Sequence, residues 1–190
     1  LGLQEVWHKD SVANALKKSG LESEYEMLVP SDATGKGIVC AALVRKDLRI
    51  GDPEWIVKFP DKFVLQSSGD DPQTPEISVK VKKFSRPVLH FTIKPRDEHE
   101  AVHVYVCHFK SKAPTKVFTE KWFKDEAAVY KKHQTNLGSA ISTIRRAAEA
   151  SALRFILTQQ MKGTNTGVIV LGDVNDGQHS NTVNILTEQP

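Results

Sequence analysis

The alternation of apolar and polar positions divides the chain into segments that predict strands and helices. Short apolar runs at 1–6 and 25–29 each predict a strand. A stronger apolar run at 38–44 follows Gly35 and Gly37 and predicts a third strand. These lengths are typical of buried strands.

Two segments show the spacing of three and four residues that is typical of an amphipathic helix. The first is predicted to begin after a cap at Asp10 or Ser11 and to end at Gly20. The second covers about 137–162 and ends at Gly163. Its predicted apolar face consists of Ile141, Ile144, Ala148, Ala152 and Phe155.

Two β-rich runs, 87–94 and 101–108, are separated by a charged segment at 95–100 and predict a hairpin. In the second run valines alternate with His103, Tyr105 and Cys107, as in a strand with two different faces. The stretch 66–76 is polar and contains proline and glycine, which predicts a loop.

A continuous apolar run at 167–172 predicts a strand covered on both faces, because no polar position interrupts it before Asp173. The stretch 55–63 is the one candidate for an apolar surface element, although a strand is favoured there. The sequence contains no internal repeat or clear linker. Strands alternating with helices predict an α/β or α+β layered domain.

The composition is that of a folded protein. At 190 residues the chain has the length of one domain with a sizeable core, so we expect 1–190 to form a single domain. Its 39% hydrophobic and 26% charged residues exclude a disordered chain. No run approaches the ~18 apolar residues of a membrane span, so we expect no stable membrane insertion. Nothing in the sequence identifies a protein partner or a compartment.

The charge is mildly basic, with a net value of +3. A local excess lies between 110 and 132, where three acidic residues face seven lysines, at 110, 112, 116, 121, 124, 131 and 132. A basic segment beside an active site attracts a polyanion, but a solvated loop and helix face accounts for the same lysines. Cys40 and Cys107 lie in apolar runs, which favours small buried residues over a disulfide or a metal site.

The most informative polar residues follow the run at 167–172. Asp173 and Asn175 are two positions apart, so in an extended strand both side chains point the same way. A carboxylate and a carboxamide there can orient a water molecule and hold a phosphate oxygen. A simple turn after a strand accounts for them equally well.

His108 ends another predicted strand and can transfer a proton or donate to a phosphoryl oxygen. His103 is five positions earlier and is predicted to face the other way, which argues against a zinc pair. Glu5 lies at the predicted C-terminal end of the first strand, where its carboxylate needs a cation, an arginine or water. Arg86, just before Pro87, is a lesser candidate. For each of these residues an exposed position without a function remains an alternative.

The order of these features resembles the endonuclease/exonuclease/phosphatase superfamily, and in particular its bacterial predicted-nuclease type. The resemblance extends over nearly the whole chain. It rests on five stretches, which are LGLQEV, SRPVLHFTI, VHVYVCHFKSK, RRAAEASALRFIL and VIVLGDVND. This superfamily includes pancreatic-type deoxyribonucleases, abasic-site endonucleases, neutral sphingomyelinases and inositol-polyphosphate phosphatases.

The resemblance implies a four-layer α/β/β/α sandwich, in which two packed mixed sheets are flanked by helices. It implies hydrolysis of phosphate esters with Mg²⁺, or with Mn²⁺ or Ca²⁺. Glu5 matches the metal-binding glutamate, and His108 matches the histidine that contacts the scissile phosphate. Asp173 and Asn175 match the catalytic pair that positions water and phosphate, with Asn175 also binding substrate. Arg86 matches a substrate-binding position whose role is less well defined.

Two expected family elements have no counterpart in this sequence: an initial strand with an asparagine, and a final strand with an Asp-His pair. We therefore expect the chain to be a fragment, incomplete at both ends, that is inactive by itself if the pair is essential. A nuclease with nucleic acid as substrate is the favoured function. The alternatives are a phosphoesterase of lipid or small-molecule phosphates, sphingomyelinase-like or inositol-phosphatase-like, and a degenerate binding domain without catalysis.

Overall fold

A computed structural model describes residues 1–95 and 100–188 of the chain. Most of the predicted charged turn at 95–100 therefore lies outside the described residues. The strands are β1 Gly2–His8, β2 Tyr25–Leu28, β3 Thr34–Arg45, β4 Arg49–Lys58, β5 Gln66–Ser67, β6 Ile77–Ser78, β7 Lys83–Ile93, β8 Val102–His108 and β9 Gly167–Asp173. The α-helices are α1 Lys9–Ser19, α2 Lys121–Asp125, α3 Ala127–Tyr130, α4 Gln134–Met161 and α5 Asn181–Thr187.

Two sheets form the centre of the fold. The first has the order β1-β3-β2 and is antiparallel throughout. The second has the order β4-β7-β8-β9, in which β8 and β9 are parallel and the other pairs are antiparallel. The predicted hairpin is thus confirmed as β7 and β8. A short pair, β5 and β6, encloses most of the predicted polar loop.

The sheets pack face to face through an apolar layer. Cys40, Ala42 and Val44 contribute from the first sheet, and Leu89 and Val106 contribute from the second. On the outer face of the first sheet, α1 buries Val12 and Leu16. On the outer face of the second sheet, α4 covers a larger core. The four-layer arrangement of helix, sheet, sheet and helix is therefore confirmed.

The alternation predicted for the strand 101–108 is confirmed by its two faces. Val104 and Val106 point between the sheets, whereas Tyr105 and Cys107 point towards α4. His103 shares the α4 side, where its ring stacks on His90 and meets the Gln160 amide. The predicted burial of the cysteines is also confirmed: both are free and buried, and burial raises the pKa of each thiol to about 12.

Several boundaries differ from the prediction. α1 begins at Lys9 with His8 in the cap position, and neither Asp10 nor Ser11 caps it. β3 begins at Thr34, so the two glycines lie within the strand, and Gly35 packs against the ring of His8.

The predicted apolar face of the long helix is partly wrong, because Ile141 and Ile144 are 40% and 49% exposed. The predicted coverage of β9 on both faces is also wrong in this structure. Ile169 and Leu171 are 44% and 37% exposed, because β9 is an edge strand of its sheet among the described residues. No helix within these residues is long and apolar enough to cross a lipid bilayer.

Candidate functional site

The candidate site forms where the parallel strands β8 and β9 end side by side. Their register places His108 opposite Asp173 and Cys107 opposite Gly172. A side chain at residue 172 would meet the Cys107 carbonyl oxygen at 1.9 Å, and the φ of 133° also favours glycine. Gly172 therefore allows the close approach that brings His108 and Asp173 together.

Glu5 reaches the same place from the other sheet. Its Oε1 lies 4.0 Å from Nε2 of His108, and Oδ2 of Asp173 lies 3.8 Å from the same nitrogen. Glu5 is not at the end of its strand, as predicted, but within β1, in the irregular stretch between the paired residues Leu3 and Val6. Its φ is 56°, in the left-handed region that glutamate rarely adopts. The irregular backbone thus directs the carboxylate towards His108.

His108 is almost completely buried, with 2% of its surface exposed. Burial and the positive charge of Arg86 lower the pKa of His108, although Asp173 and Glu5 oppose this effect. Its Nδ1 has no hydrogen-bond partner among the described residues. A neutral ring with its proton on Nε2 fits this environment, because a proton on Nδ1 would be a buried donor without an acceptor. Nε2–H then points to the two carboxylates but lies beyond hydrogen-bond distance of both.

Asp173 and Asn175 lie in a turn after β9 rather than in a continued strand. The Asn175 N–H donates to Oδ1 of Asp173 at 2.7 Å, and φ of Asn175 is 53°. The Asn175 carboxamide donates to the carbonyl of Phe109 at 3.0 Å. The side chains of Asp173 and Asn175 therefore both lie near the end of β8. A turn brings them there, and not the alternation of side chains along a strand that the sequence predicted.

Arg86 of β7 lies beneath this region and is half-buried. Its Nη1 donates to the carbonyl oxygens of His108 and Phe109, at 3.1 and 2.7 Å. The guanidinium thus holds the main chain on which the candidate histidine lies. Its positive charge is also a cause of the lowered pKa of His108.

Glu149 of α4 is a functional candidate that the sequence analysis missed. Its carboxylate is fully buried and accepts from the backbone N–H of Ser85 at 2.6 Å and of Lys110 at 2.7 Å. Arg145 lies 3.4 Å away as its ion partner. Glu149 therefore joins the start of β7 to the chain leaving β8. The signal in the sequence was a lone glutamate among alanines, next to Ala148 of the predicted apolar face.

Asp176 is a second anchor beyond the predicted pair. It accepts from Thr182 at 2.7 Å and forms ion pairs with Lys112 at 2.9 Å and Arg146 at 3.4 Å. Hydrogen bonds from Lys112 and Thr182 hold the pKa of Asp176 well below its ordinary range. These contacts tie the turn after β9 to α4, to α5 and to the chain that follows β8.

The side chains at the candidate site offer a small number of ligands for a hard divalent cation. Mg²⁺ favours one or two carboxylates, completed by water and substrate phosphate. Glu5 supplies an exposed carboxylate, with 67% of its side chain accessible, beside a buried neutral histidine. No group of three or more His, Cys, Asp and Glu side chains with metal-binding geometry occurs within residues 1–95 and 100–188. The residues thus fit a site with few protein ligands and not a closed structural cage.

Comparison with known proteins finds similar chains among solved structures. No protein-family model and no curated protein matches the chain. Among solved structures, the chain is similar to the human Nocturnin catalytic domain, which was solved with a bound sulfate anion. The identity is 15% and the TM-score is 0.53, over 96% of this chain and 53% of that chain, so this chain spans about half of that structure's length. At this identity the likeness shows a shared fold and nothing further.

Proposed function

We propose that this chain carries the phosphate-cleaving face of a metal-dependent phosphodiester hydrolase that acts as a nuclease on DNA or RNA. The observation that carries the proposal is the meeting of Glu5, His108 and Asp173. Both carboxylates come within 4.0 Å of one imidazole nitrogen, from strands distant in sequence. The fold shared with the Nocturnin catalytic domain supports a hydrolase scaffold.

The proposed chemistry is in-line attack of water on phosphorus. The new phosphorus–oxygen bond forms as the bond to the leaving ester oxygen breaks, and that oxygen takes up a proton from solvent. A neutral His108 donates its Nε2–H to a phosphoryl oxygen on which charge develops, which is the largest favourable effect in reactions of this kind. Asp173 accepts a proton of the attacking water and orients it. Asn175 has one N–H engaged with the Phe109 carbonyl, so the carboxamide is held in place and its second N–H binds a non-bridging oxygen.

The metal in this proposal is Mg²⁺, or Mn²⁺ or Ca²⁺, bound by Glu5. When bound, such an ion neutralises phosphate charge and polarises the phosphorus–oxygen bond. Glu5 holds its carboxylate on the solvent side of His108. We further propose that Arg86 acts on substrate through the main chain of residues 108 and 109, whose carbonyls it binds.

The first experiment uses the protein at its full natural length with plasmid DNA, RNA and a phosphodiester dye. We expect cleavage of nucleic acid with Mg²⁺ and none with chelator. The His108→Ala and Asp173→Ala variants should each lose about 10²–10⁴-fold in kcat, the usual contribution of a positioned proton-transfer group. The exposed His133→Ala variant serves as the matched control and should keep full activity.

The outcomes separate the candidate functions. Near-normal activity in a folded His108→Ala or Asp173→Ala protein would remove these residues from the mechanism. Cleavage of the dye alone would point to a lipid or small-molecule phosphoester as substrate. A folded protein that cleaves none of the three substrates would indicate a binding domain without catalysis. An unchanged Mg²⁺ titration in Glu5→Gln would exclude Glu5 as the metal ligand.

A further inference from the structure

An exposed aromatic surface lies in the segment between β8 and α4. Phe118 and Trp122 are 43% and 42% exposed. Phe118 lies in a short 3-10 turn and Trp122 lies in α2. Within the described residues, Trp7 is the other aromatic side chain exposed to this extent. Two large rings so close in sequence are unusual on a solvated face and indicate a ligand surface.

Trp122 is held in place by packing rather than by its own short helix. The helices α2 and α3 have five and four residues, too few to be stable alone. Trp122 meets Tyr130 edge to face, with centroids 5.0 Å apart, and also contacts Phe123. Phe123 and Val117 are 5% and 1% exposed and anchor the segment. The part of the surface around Trp122 is therefore pre-formed.

Five lysines lie close to these rings in sequence, at 116, 121, 124, 131 and 132. Lys121 pairs with Asp125. Among the residues that the structure describes, no ion pair is formed by four other lysines of the segment, which are Lys116, Lys124, Lys131 and Lys132. Uncompensated ammonium groups beside exposed rings complement a chain of phosphates that carries unpaired bases. A duplex fits less well, because its bases are already stacked on each other.

The segment is attached directly to the candidate site. Lys112 pairs with Asp176, and the Ala113 carbonyl accepts from the hydroxyl of Ser142 on α4 at 2.8 Å. At 1.5 Å per residue, Ser142 lies about 10 Å along α4 from Glu149. Glu149 binds the backbone of Lys110, two residues after His108. The beginning of the segment is therefore fixed to the chain that carries His108.

We propose that this surface binds single-stranded nucleic acid, with bases stacked on Phe118 and Trp122 and phosphates held by the neighbouring lysines. This inference rests on the proposed function in one respect, which is that the bound strand would be the substrate of the nuclease. The surface would thus select single strands over duplexes and hold them beside His108.

The test measures fluorescence anisotropy of a labelled 15-nucleotide oligothymidine with the full-length protein in chelator, so that no cleavage occurs. The double variant Phe118→Ala with Trp122→Ala should bind at least about tenfold more weakly, since each stacked base contributes about 1–3 kcal/mol. Trp122→Phe keeps a ring and should retain most of the binding. Val129→Ala removes exposed apolar surface without an aromatic ring and should change binding less than twofold.

A salt titration tests the lysines separately. The slope of log K against log salt is about −0.7 per neutralised phosphate for a single strand. Replacing Lys131 and Lys132 with Gln should therefore make the slope shallower by about 1.4. Lys17→Gln with Lys18→Gln on α1 is the matched control and should leave the slope unchanged. Circular dichroism confirms that each variant is folded.

Equal affinity for duplex and single strand, or no loss of oligothymidine binding in the double variant, would overturn the inference. Binding only to phosphatidylserine–phosphatidylcholine vesicles would also overturn it. A further outcome, retained dye hydrolysis with no oligothymidine binding, would overturn it as well. This last outcome leaves the hydrolase proposal intact. Ring-dependent binding of oligothymidine without hydrolysis of any substrate would support the inference while the hydrolase proposal fails.

Discussion

Glu5 combines an exposed carboxylate with a backbone conformation that is costly for its residue type. Among the described residues, three non-glycine residues have positive φ, and two of them, Glu5 and Asn175, lie at the candidate site. Asparagine tolerates the left-handed region, but glutamate does so at a cost of about 1–2 kcal/mol. Such strain tends to occur where function requires a side chain in an unusual direction.

Comparison of two variants at this position separates strain from charge. Glu5→Asn and Glu5→Gln both remove the carboxylate, but asparagine relieves the backbone cost. We expect the free energy of unfolding of Glu5→Asn to be about 0.5–1 kcal/mol higher than that of Glu5→Gln. Chemical denaturation measures the difference, and equal stabilities would show that the left-handed backbone at this position carries no strain. Both variants should weaken the Mg²⁺ response.

His108 is expected to link stability to pH. Its pKa in the folded protein is lowered by burial, so the unfolded chain binds a proton more readily. The stability is therefore complete above the unfolded pKa of about 6.5 and is lost as pH falls through the lower folded value. The slope of unfolding free energy against pH, measured between about pH 7 and 5, should decrease in His108→Gln.

The exposed His133→Gln variant is the control for this titration and should reproduce the wild-type slope. His90 also has a pKa lowered by burial and by His103, so part of the slope should persist in His108→Gln. A slope that is identical in wild type and His108→Gln would show that His108 is not buried in its neutral form.

At the scale of elements, α4 supports both the core and the site. Its buried positions include Ala152, Leu153 and Leu157 in the core, and also Arg146 and Glu149, which bind the chain around β8 and β9. Near its start, Gly138 packs against the segment after β8, whose Thr115 N–H donates to the Gly138 carbonyl at 3.0 Å.

Gly138→Ala tests this contact against helix propensity. In an exposed helix the change would stabilise by about 1 kcal/mol. Here a new Cβ would lie 2.4 Å from the Thr115 carbonyl oxygen, so we expect a net loss of about 1–3 kcal/mol in unfolding free energy. Oligothymidine binding should weaken as the segment shifts. Thr135→Ala, exposed on the same helix, should stabilise by no more than about 0.7 kcal/mol through helix propensity. A stabilised Gly138→Ala would show that the segment is loosely held.

Much of the fold follows from periodicity, and much of the site does not. The valines of β8 alternate because that strand separates two cores, so its faces could be predicted. Three polar residues of α4 are buried, namely Ser142, Arg146 and Glu149. The predicted apolar face therefore wrongly included Ile141 and Ile144, which are exposed. The irregularity at Glu5 depends on pairing with a distant strand, and local spacing does not encode it.

At the scale of the whole molecule, β9 leaves apolar surface exposed on both of its faces. A cavity of about 380 Å³ between β9, α4 and α5 is lined by residues that include Leu157, Val168 and Leu186. On the other face, a cavity of about 340 Å³ is lined in part by Ile169 and Leu171. An exposed apolar strand at a sheet edge pairs readily with another chain.

We therefore expect this 190-residue chain to self-associate as its concentration rises. Ile169→Lys introduces a charge beside the edge and should shift sedimentation velocity profiles towards the monomer. Ile77→Lys is the control, because Ile77 is 58% exposed on a separate two-stranded sheet. A chain that remains monomeric at all concentrations, or an equal effect of both substitutions, would contradict a role for β9.

The parallel pairing of β8 with β9 also determines the order in which the molecule assembles. His108 and Asp173 become neighbours only after the chain from 109 to 166, including all of α4, has crossed back over the sheet. The entropy of closing so long a loop is lost before the contacts that repay it can form. The hairpin of β7 and β8 needs no such closure. During synthesis and refolding, the candidate site is therefore the late-forming part of the protein, and a chain interrupted before residue 167 would carry His108 without Asp173.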